Sequence, residues 1–202
     1  MTPLFLKGLA FGFVLAATVG PMWVLCFRRT VAYGALTGFV SGMGIAVADG
    51  LYGAVAAFGL TAISGFLLRY SFWIGLAGGL FLLYLGSKTL LQMPPANAEA
   101  AQPASLAQAF LSTLGLTLAN PPTILAFVAI FAGLGLSAST DYALAAMIVA
   151  GVFLGSAAWW VVLAAAGGAL RERLGARVLR AINLISGLTL LGFAFWQFAQ
   201  LV

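Results

Sequence analysis

Two apolar stretches, LKGLAFGFVLAATVGPMWVLCF at Leu6–Phe27 and LAQAFLSTLGLTLANPPTILAF at Leu106–Phe127, align without a gap. The alignment pairs Gly20-Pro21 with Asn120-Pro121, so a proline interrupts each run at the same point. Proline inside a helix removes a backbone hydrogen bond, and lipid offers no partner for the freed group, which must lie against protein or a water-filled cavity. Paired interruptions of this kind are typical of the substrate site of secondary transporters.

The composition indicates a chain that lies almost wholly in a membrane. Of its 202 residues, 63% are hydrophobic and only 6% are charged. A membrane-spanning helix needs about 20 apolar residues. Six runs are long enough, and we predict an all-α integral membrane protein with six transmembrane helices, of which the first and fourth are interrupted. The runs are approximately 4–27, 36–61, 72–91, 106–135, 142–168 and 181–202.

The similarity between the two halves extends beyond the opening stretch. Gly79–Leu83 in the third run resembles Gly187–Leu191 in the sixth, and Asp49 falls near Ser156 when the second and fifth runs are aligned. Three spans per half is an odd number, so the second copy enters the membrane from the opposite side, which gives an inverted 3+3 repeat. Chance similarity between helices rich in Leu, Gly and Ala is the alternative. The predicted single transmembrane domain, 1–202, is divided into a first three-helix repeat at 1–92, a linker at 93–105 and a second, inverted repeat at 106–202.

Basic residues predict the orientation of the chain. Odd-numbered loops carry Arg28 and Arg29, then Lys88, then four further arginines between the last two runs, whereas the even-numbered side has only Lys7 and Arg69. Because basic loops stay in the cytoplasm, we expect both termini to lie outside. Basic residues at the ends of apolar runs argue against a nucleic-acid partner. The chain has no histidine and one cysteine, so we predict no intrachain disulfide, no metal site and no cofactor.

Asp49 is the one acidic residue well inside a predicted span. A carboxylate in that position costs at least about 2.5 kcal/mol on insertion scales, so the side chain should face the bundle interior or water. We expect Asp49 to bind a substrate ammonium group, carry a proton, or do both. The structural alternative is a protonated aspartic acid that is hydrogen-bonded to a neighbouring helix.

Whereas Asp49 would attract a positive group, the two interruptions are expected to attract a negative one. Asparagine is a good helix N-cap and proline suits the first helical position, so Asn120-Pro121 predicts the start of a new half-helix, and Gly20-Pro21 a weaker one. Helix N-termini attract anions such as carboxylates. Thr113, Thr117 and Asn120 form a polar stripe at helical spacing that could face the same cavity, although such hydroxyls often bond their own backbone. A simple packing kink is the alternative for either proline alone.

Small residues recur four positions apart and allow helices to approach closely in lipid. The pairs are Gly8/Gly12, Gly38/Gly42, Gly75/Gly79 and Gly151/Gly155. They are compatible with a homodimer face, but packing within one bundle is the simpler interpretation.

The stretch GPMWVLCFRRTVAYGALTGFVSGMGIAVADGLYG at 20–53 resembles the lysine-exporter/threonine-exporter (LysE/RhtB) family, and Asn120-Pro121 resembles that family's second signature. The resemblance covers nearly the whole chain. It implies export of amino acids or related small zwitterionic metabolites across a bacterial inner membrane, driven by protons, with roles for Asp49 and for the residues of both interruptions. Met22 departs from the family pattern, which often has a polar residue there, and Pro122 is also unusual. Met22 puts lysine or arginine in doubt as substrates and favours a more apolar solute.

Three other functions are weaker. A metal-cation exporter, as in related families, would need several hard oxygen ligands or soft thiolate and imidazole ligands. An enzyme would need a nucleophile, base or metal constellation that Asp49 alone does not supply. An accessory membrane protein without transport activity would not need the paired interruptions. We therefore predict a transporter rather than an enzyme.

Overall fold

The computed structural model describes residues 2–57, 69–91, 105–120, 142–171 and 173–201, together with Thr123 and Phe127. This part of the chain contains seven α-helices and no strand, as expected for an all-α protein. They are α1 (Thr2–Ala17), α2 (Pro21–Tyr33), α3 (Ala35–Ala57), α4 (Ser71–Leu91), α5 (Leu106–Leu118), α6 (Tyr142–Arg171) and α7 (Ala176–Ala199).

Four of these helices, α3, α4, α6 and α7, are long and apolar enough to cross a membrane, and α1 with α2 makes a fifth span if the bent pair is counted as one. The multi-pass helical membrane class is therefore confirmed. The remaining apolar helix, α5, has 13 residues, and most of the predicted fourth span beyond it lies outside the described residues. The count of six spans stays a prediction, as does the linker, of which only Ser105 is described.

The first predicted interruption is a sharp bend between α1 and α2. The two helices meet at an angle of 74°. Gly20 lies between them in an extended conformation, with φ at −153°, and Pro21 begins α2. Proline suits this first position because its missing N–H is not needed there. No side chain caps the α2 N-terminus.

The predicted end of the first span was wrong. We expected a loop after Phe27, but α2 continues to Tyr33, and Gly34 alone joins it to α3. Gly34 has φ at +99°, a conformation that favours glycine, and its N–H donates to the carbonyl of Thr30. Arg28 and Arg29 are consequently helical and buried, with only 5% and 6% of their surfaces exposed. The helix continues because its buried guanidinium groups find polar partners on other helices.

The bundle is held together by close helix contacts, most extensively between α1 and α6. Gly8 and Gly12 face the backbone of Ile148 and Val152, and a Cβ added to either glycine would collide with a carbonyl group there. Gly151 and Gly155 of α6 face α1 in the same way. These two glycine pairs therefore pack within the chain, as the simpler interpretation expected. Asp49, one of the buried polar residues, lies on α3, which packs against both α5 and α6.

We expect Gly12→Ala to destabilise the bundle, because the new methyl group must displace the Val152 backbone. Overpacking a tight core costs about 1–3 kcal/mol. Gly192→Ala is the matched control, since nothing lies within 4 Å of the methyl group added there. Thermal unfolding of the purified chain in detergent should show a lower Tm for Gly12→Ala and no loss for Gly192→Ala. Equal Tm values would contradict the close α1–α6 contact.

Candidate functional site

A cavity of about 860 Å³ lies between α2, α4 and α5. Its basic side chains come from the C-terminal half of α2 and the C-terminal end of α4, and its other polar side chains come mainly from the first turns of α5. The lining residues are Leu25, Arg28, Arg29, Tyr33, Ala77, Gly78, Phe81, Tyr84, Leu85, Lys88, Thr89, Gln108, Leu111, Ser112, Gly115, Leu116 and Ala119. None of them is acidic.

Arg29 joins three helices at the wall of this cavity. Its Nη1 donates to Ser41 Oγ at 3.1 Å and to the Ala109 carbonyl at 2.9 Å, and its Nη2 donates to Ser112 Oγ at 2.8 Å. All three acceptors are neutral. The guanidinium is thus held in place by α3 and α5 while its positive charge is not cancelled by these partners, which leaves it able to attract an anion.

Arg28 and Lys88 add two more cations to the same cavity. Arg28 Nε donates to Asn183 Oδ1 on α7 at 3.0 Å, and its guanidinium carbon lies 5.7 Å from the centre of the Tyr33 ring. Lys88 Nζ lies 5.7 Å from the centre of the Tyr84 ring. Both basic groups therefore rest against an aromatic ring, an arrangement that stabilises a cation.

A second, smaller pocket lies where the two predicted interruptions meet. It has a volume of about 60 Å³ and is lined by Pro21, Met22 and Asn120, with the buried Gln197 of α7 opposite them. The structure thus places Pro21 and Met22 of the first interruption beside Asn120, the described residue of the second. Three residues, Gly78, Leu116 and Ala119, line both this pocket and the larger cavity. The two spaces are therefore adjacent.

The second interruption begins where α5 ends at Leu118. Tyr52 on α3 donates its hydroxyl to the Leu118 carbonyl at 2.7 Å, which satisfies a group that the end of the helix leaves free. Asn120 Nδ2 donates to Thr123 Oγ1 at 2.9 Å. The Asn120 side chain thus reaches the third residue beyond it, as a capping side chain does, but through a hydroxyl rather than a backbone N–H. Pro121 and Pro122 lie outside the described residues.

Asp49 lies in α3 and is almost fully buried, with 3% of its surface exposed. It accepts a hydrogen bond from Ser156 Oγ at 2.7 Å, and Ser156 Oγ in turn accepts one from Trp160 Nε1 at 3.2 Å. No ion pair joins Asp49 to a described basic residue. Asp49 lines neither cavity. In this conformation the carboxyl group is therefore apart from the residues of the two interruptions.

The remaining predicted residues have local roles. Thr117 Oγ1 donates to the Thr113 carbonyl at 2.8 Å, and Thr113 Oγ1 donates to the Ser41 carbonyl on α3 as well as to its own helix. These two hydroxyls thus bond backbone rather than face a cavity, the alternative that membrane helices often show. Gly20 contributes the extended residue that allows the first bend.

The sequence analysis missed Arg28, Arg29, Lys88 and Gln197 as site residues because it used the first three only to orient the chain. One sequence signal could have placed the two arginines inside a helix. Glycine commonly follows the last helical residue. Gly34 therefore predicts a helix end after Arg29 and not before it.

The comparisons with known proteins agree with this architecture. The family described as LysE type translocator matches residues 13–199. The chain is 26% identical over 198 residues to "Putative amino acid efflux protein YcgF" of Bacillus subtilis (strain 168), covering 96% of this chain and 94% of that protein. It is 30% identical over 142 residues to "Uncharacterized membrane protein YahN" of Escherichia coli (strain K12), covering 69% of this chain and 63% of that protein. No solved structure matches the chain significantly.

The family match spans both interruptions, the buried arginine pair, Asp49 and the cavity between α2, α4 and α5. The chain belongs to the LysE type translocator family.

Proposed function

We propose that the chain exports amino acids or related small zwitterionic metabolites from the cytoplasm. The observation that carries this proposal is the cavity that leads from Arg28, Arg29 and Lys88 to the pocket at the two interruptions. Substrate sites formed at broken helices are typical of secondary transporters. The relative from Bacillus subtilis, whose name describes amino acid efflux, supports the same class of solute.

The cavity between α2, α4 and α5 and the pocket at the interruptions differ in size, as a solute-binding space and a closed constriction would. The larger cavity, about 860 Å³, can hold an amino acid with water, whereas the pocket at the interruptions, about 60 Å³, has room for only a few water molecules. We propose that the basic end faces the cytoplasm, as the distribution of Lys and Arg predicts, and that the interruptions form the constriction. Both termini then lie outside a bacterial inner membrane.

We propose that export is coupled to proton entry through Asp49. A carboxyl group buried in a membrane bundle marks a proton relay or an ion pathway by default. The hydrogen bond from Ser156 keeps the group in place, and Asp49 lies on α3 one turn before Tyr52, which contacts the free end of α5. A change in the charge of Asp49 would thus act on the helix that leads into the second interruption. This assigns the proton to Asp49 and the solute to the cavities.

We also propose that the chain is an inverted repeat. Asp49 and Ser156 fall near each other in the alignment of the halves, and they touch each other, as equivalent residues beside a two-fold axis do. The packing of α1 on α6 has its counterpart in the packing of α5 on α3. Both observations support an origin of the fold in duplication.

Two other functions have weaker support. A metal-cation exporter would have to work with no histidine and a single cysteine in the whole chain, and that cysteine, Cys26, is buried. An accessory membrane protein would have no use for two buried arginines beside a cavity. We therefore propose a secondary transporter and not an enzyme.

We expect Asp49→Asn to lose proton-driven export while keeping solute exchange. The amide oxygen can still accept the Ser156 hydrogen bond, so the fold should remain intact. In proteoliposomes loaded with a panel of radiolabelled amino acids, an imposed pH gradient should accelerate transport by the wild type but not by Asp49→Asn, while exchange without a gradient persists in both. Ser156→Ala removes the hydrogen bond but keeps the carboxyl group, so it should retain a response to the gradient. A normal response in Asp49→Asn would remove Asp49 from the coupling.

We expect Met22→Asn to shift export towards more polar amino acids, because Met22 lines the constriction beside Asn120. One group in a pocket discriminates between solutes by about 1–3 kcal/mol, so the ratio of leucine to glutamine efflux should fall by about tenfold. Met43→Asn is the matched control, since Met43 is half-buried on α3 and lines neither cavity. If both variants change the ratio equally, Met22 does not select the solute.

The orientation can be tested with single cysteines in cells whose outer membrane has been permeabilised. Cys26 is fully buried and should not react. Val202→Cys should react with a membrane-impermeant maleimide from outside. Arg173→Cys, at an exposed position between α6 and α7, should react only after the inner membrane is opened. The reverse pattern would overturn the orientation.

A further inference from the structure

We infer that the cavity between α2, α4 and α5 recognises its solute by a carboxylate group, which is bound by Arg28, Arg29 and Lys88. The solutes selected are carboxylates with an apolar or aromatic body, and neither a cationic side chain nor a free ammonium group is required. The inference rests on the proposed export function only for the statement that the bound solute is also transported.

The first supporting observation is the charge of the cavity. Three cations line it, and none of the lining residues that the structure describes is acidic. Asp49, the one acidic residue that the structure describes, lines neither cavity and contacts Ser156 instead. A cleft lined by one sign of charge between low-dielectric walls concentrates ions of the opposite sign. The cavity therefore attracts carboxylates and repels lysine or arginine side chains.

The second supporting observation is the geometry of Arg29. Its guanidinium is anchored on Ser41, Ser112 and the Ala109 carbonyl, all neutral acceptors, and it is buried. These bonds leave part of the guanidinium fork without a partner among the described residues, and a fixed fork matches the two oxygens of a carboxylate. Because the guanidinium is already ordered, binding a ligand does not carry the entropic cost of ordering a long side chain.

The third supporting observation is the apolar part of the cavity wall. Leu25, Phe81, Leu85 and Leu111 line the cavity beside the basic cluster, and Tyr84 contributes an aromatic ring. A pocket with apolar walls and a few fixed polar groups is the usual form of a small-molecule site, and about 860 Å³ lies in the ordinary size range. The apolar wall would hold the body of the solute while the cations hold its carboxylate. No described lining residue offers a negative charge to an ammonium group.

The test is a binding measurement on the purified full chain in nanodiscs of phosphatidylcholine, which carries no net charge. Isothermal titration compares leucine, N-acetyl-leucine, leucinamide and lysine. We expect leucine and N-acetyl-leucine to bind with similar affinity, because both have the carboxylate. Leucinamide and lysine should each bind at least about tenfold more weakly, a difference of about 1.4 kcal/mol. Equal binding of leucine and leucinamide would overturn the inference.

Lys88→Gln provides the decisive variant, because Lys88 is exposed at the end of α4 and its removal should leave the bundle folded. It should weaken N-acetyl-leucine binding about tenfold, or about 1.4 kcal/mol. Arg180→Gln, an exposed position on α7 outside both cavities, is the matched control and should bind as the wild type does. Arg29→Lys keeps the charge but loses the fork, so it should also bind N-acetyl-leucine more weakly, with a lower Tm because lysine cannot remake all three anchoring hydrogen bonds. Wild-type affinity in both Lys88→Gln and Arg29→Lys would contradict the site.

A lipid phosphate has the same recognition chemistry, and a further arm distinguishes it. Replacing part of the phosphatidylcholine by phosphatidylglycerol should leave N-acetyl-leucine binding unchanged. If phosphatidylglycerol competes in the wild type but not in Lys88→Gln, the cavity holds a lipid headgroup and the inference is wrong. Efflux from cells is a separate measurement. Carboxylate binding without efflux would refute the export proposal and leave the site standing, whereas efflux without carboxylate discrimination would refute the site alone.

Discussion

The rest of the structure depends on one constraint, the need of backbone groups at a broken helix to find partners inside the membrane. At Gly20-Pro21 the proline has no N–H to satisfy, and α2 leaves the axis of α1 by 74°. At the end of α5 the Tyr52 hydroxyl satisfies the free Leu118 carbonyl. At the first break the proline has no N–H that needs a partner, and at the end of α5 a side chain of a neighbouring helix satisfies the free carbonyl.

The bend at Gly20-Pro21 also decides where the basic residues go. Because α2 turns away from α1, its C-terminal half enters the bundle and contacts α3, α6 and α7. Arg28 then reaches Asn183 on α7, and Arg29 reaches Ser112 on α5. Two arginines that would otherwise lie at the membrane surface become the wall of a cavity. Burying a guanidinium is costly without partners, and each of these has at least one charge-assisted hydrogen bond to offset that cost.

The single described acid and the basic cluster are separated by helix α3 and its neighbours. Asp49 contacts α6 through Ser156, whereas Arg29 and Lys88 face the space between α2, α4 and α5. If these opposite charges shared one site they would neutralise each other and close it. Their separation allows one group to respond to protons while the others attract a carboxylate, the division of roles that we propose for export.

The sequence by itself determined the membrane class, the approximate position of most described helices, the break at Gly20-Pro21 and the family, because apolar run length and proline position act locally along the chain. Residue type alone also identified Asp49 as buried, since a lone carboxylate in an apolar run is too costly to expose to lipid.

Only the tertiary structure decided that Met22 and Asn120 share a pocket and that Asp49 accepts a hydrogen bond from Ser156 away from both cavities. Only the tertiary structure showed that Arg28, Arg29 and Lys88, which the sequence used only to indicate orientation, line one cavity. The physical reason is that a basic residue at the end of an apolar run has the same sequence signature whether it snorkels to the surface or turns inward. The choice depends on the 74° bend and on acceptors far along the chain, such as Asn183 and Ser112.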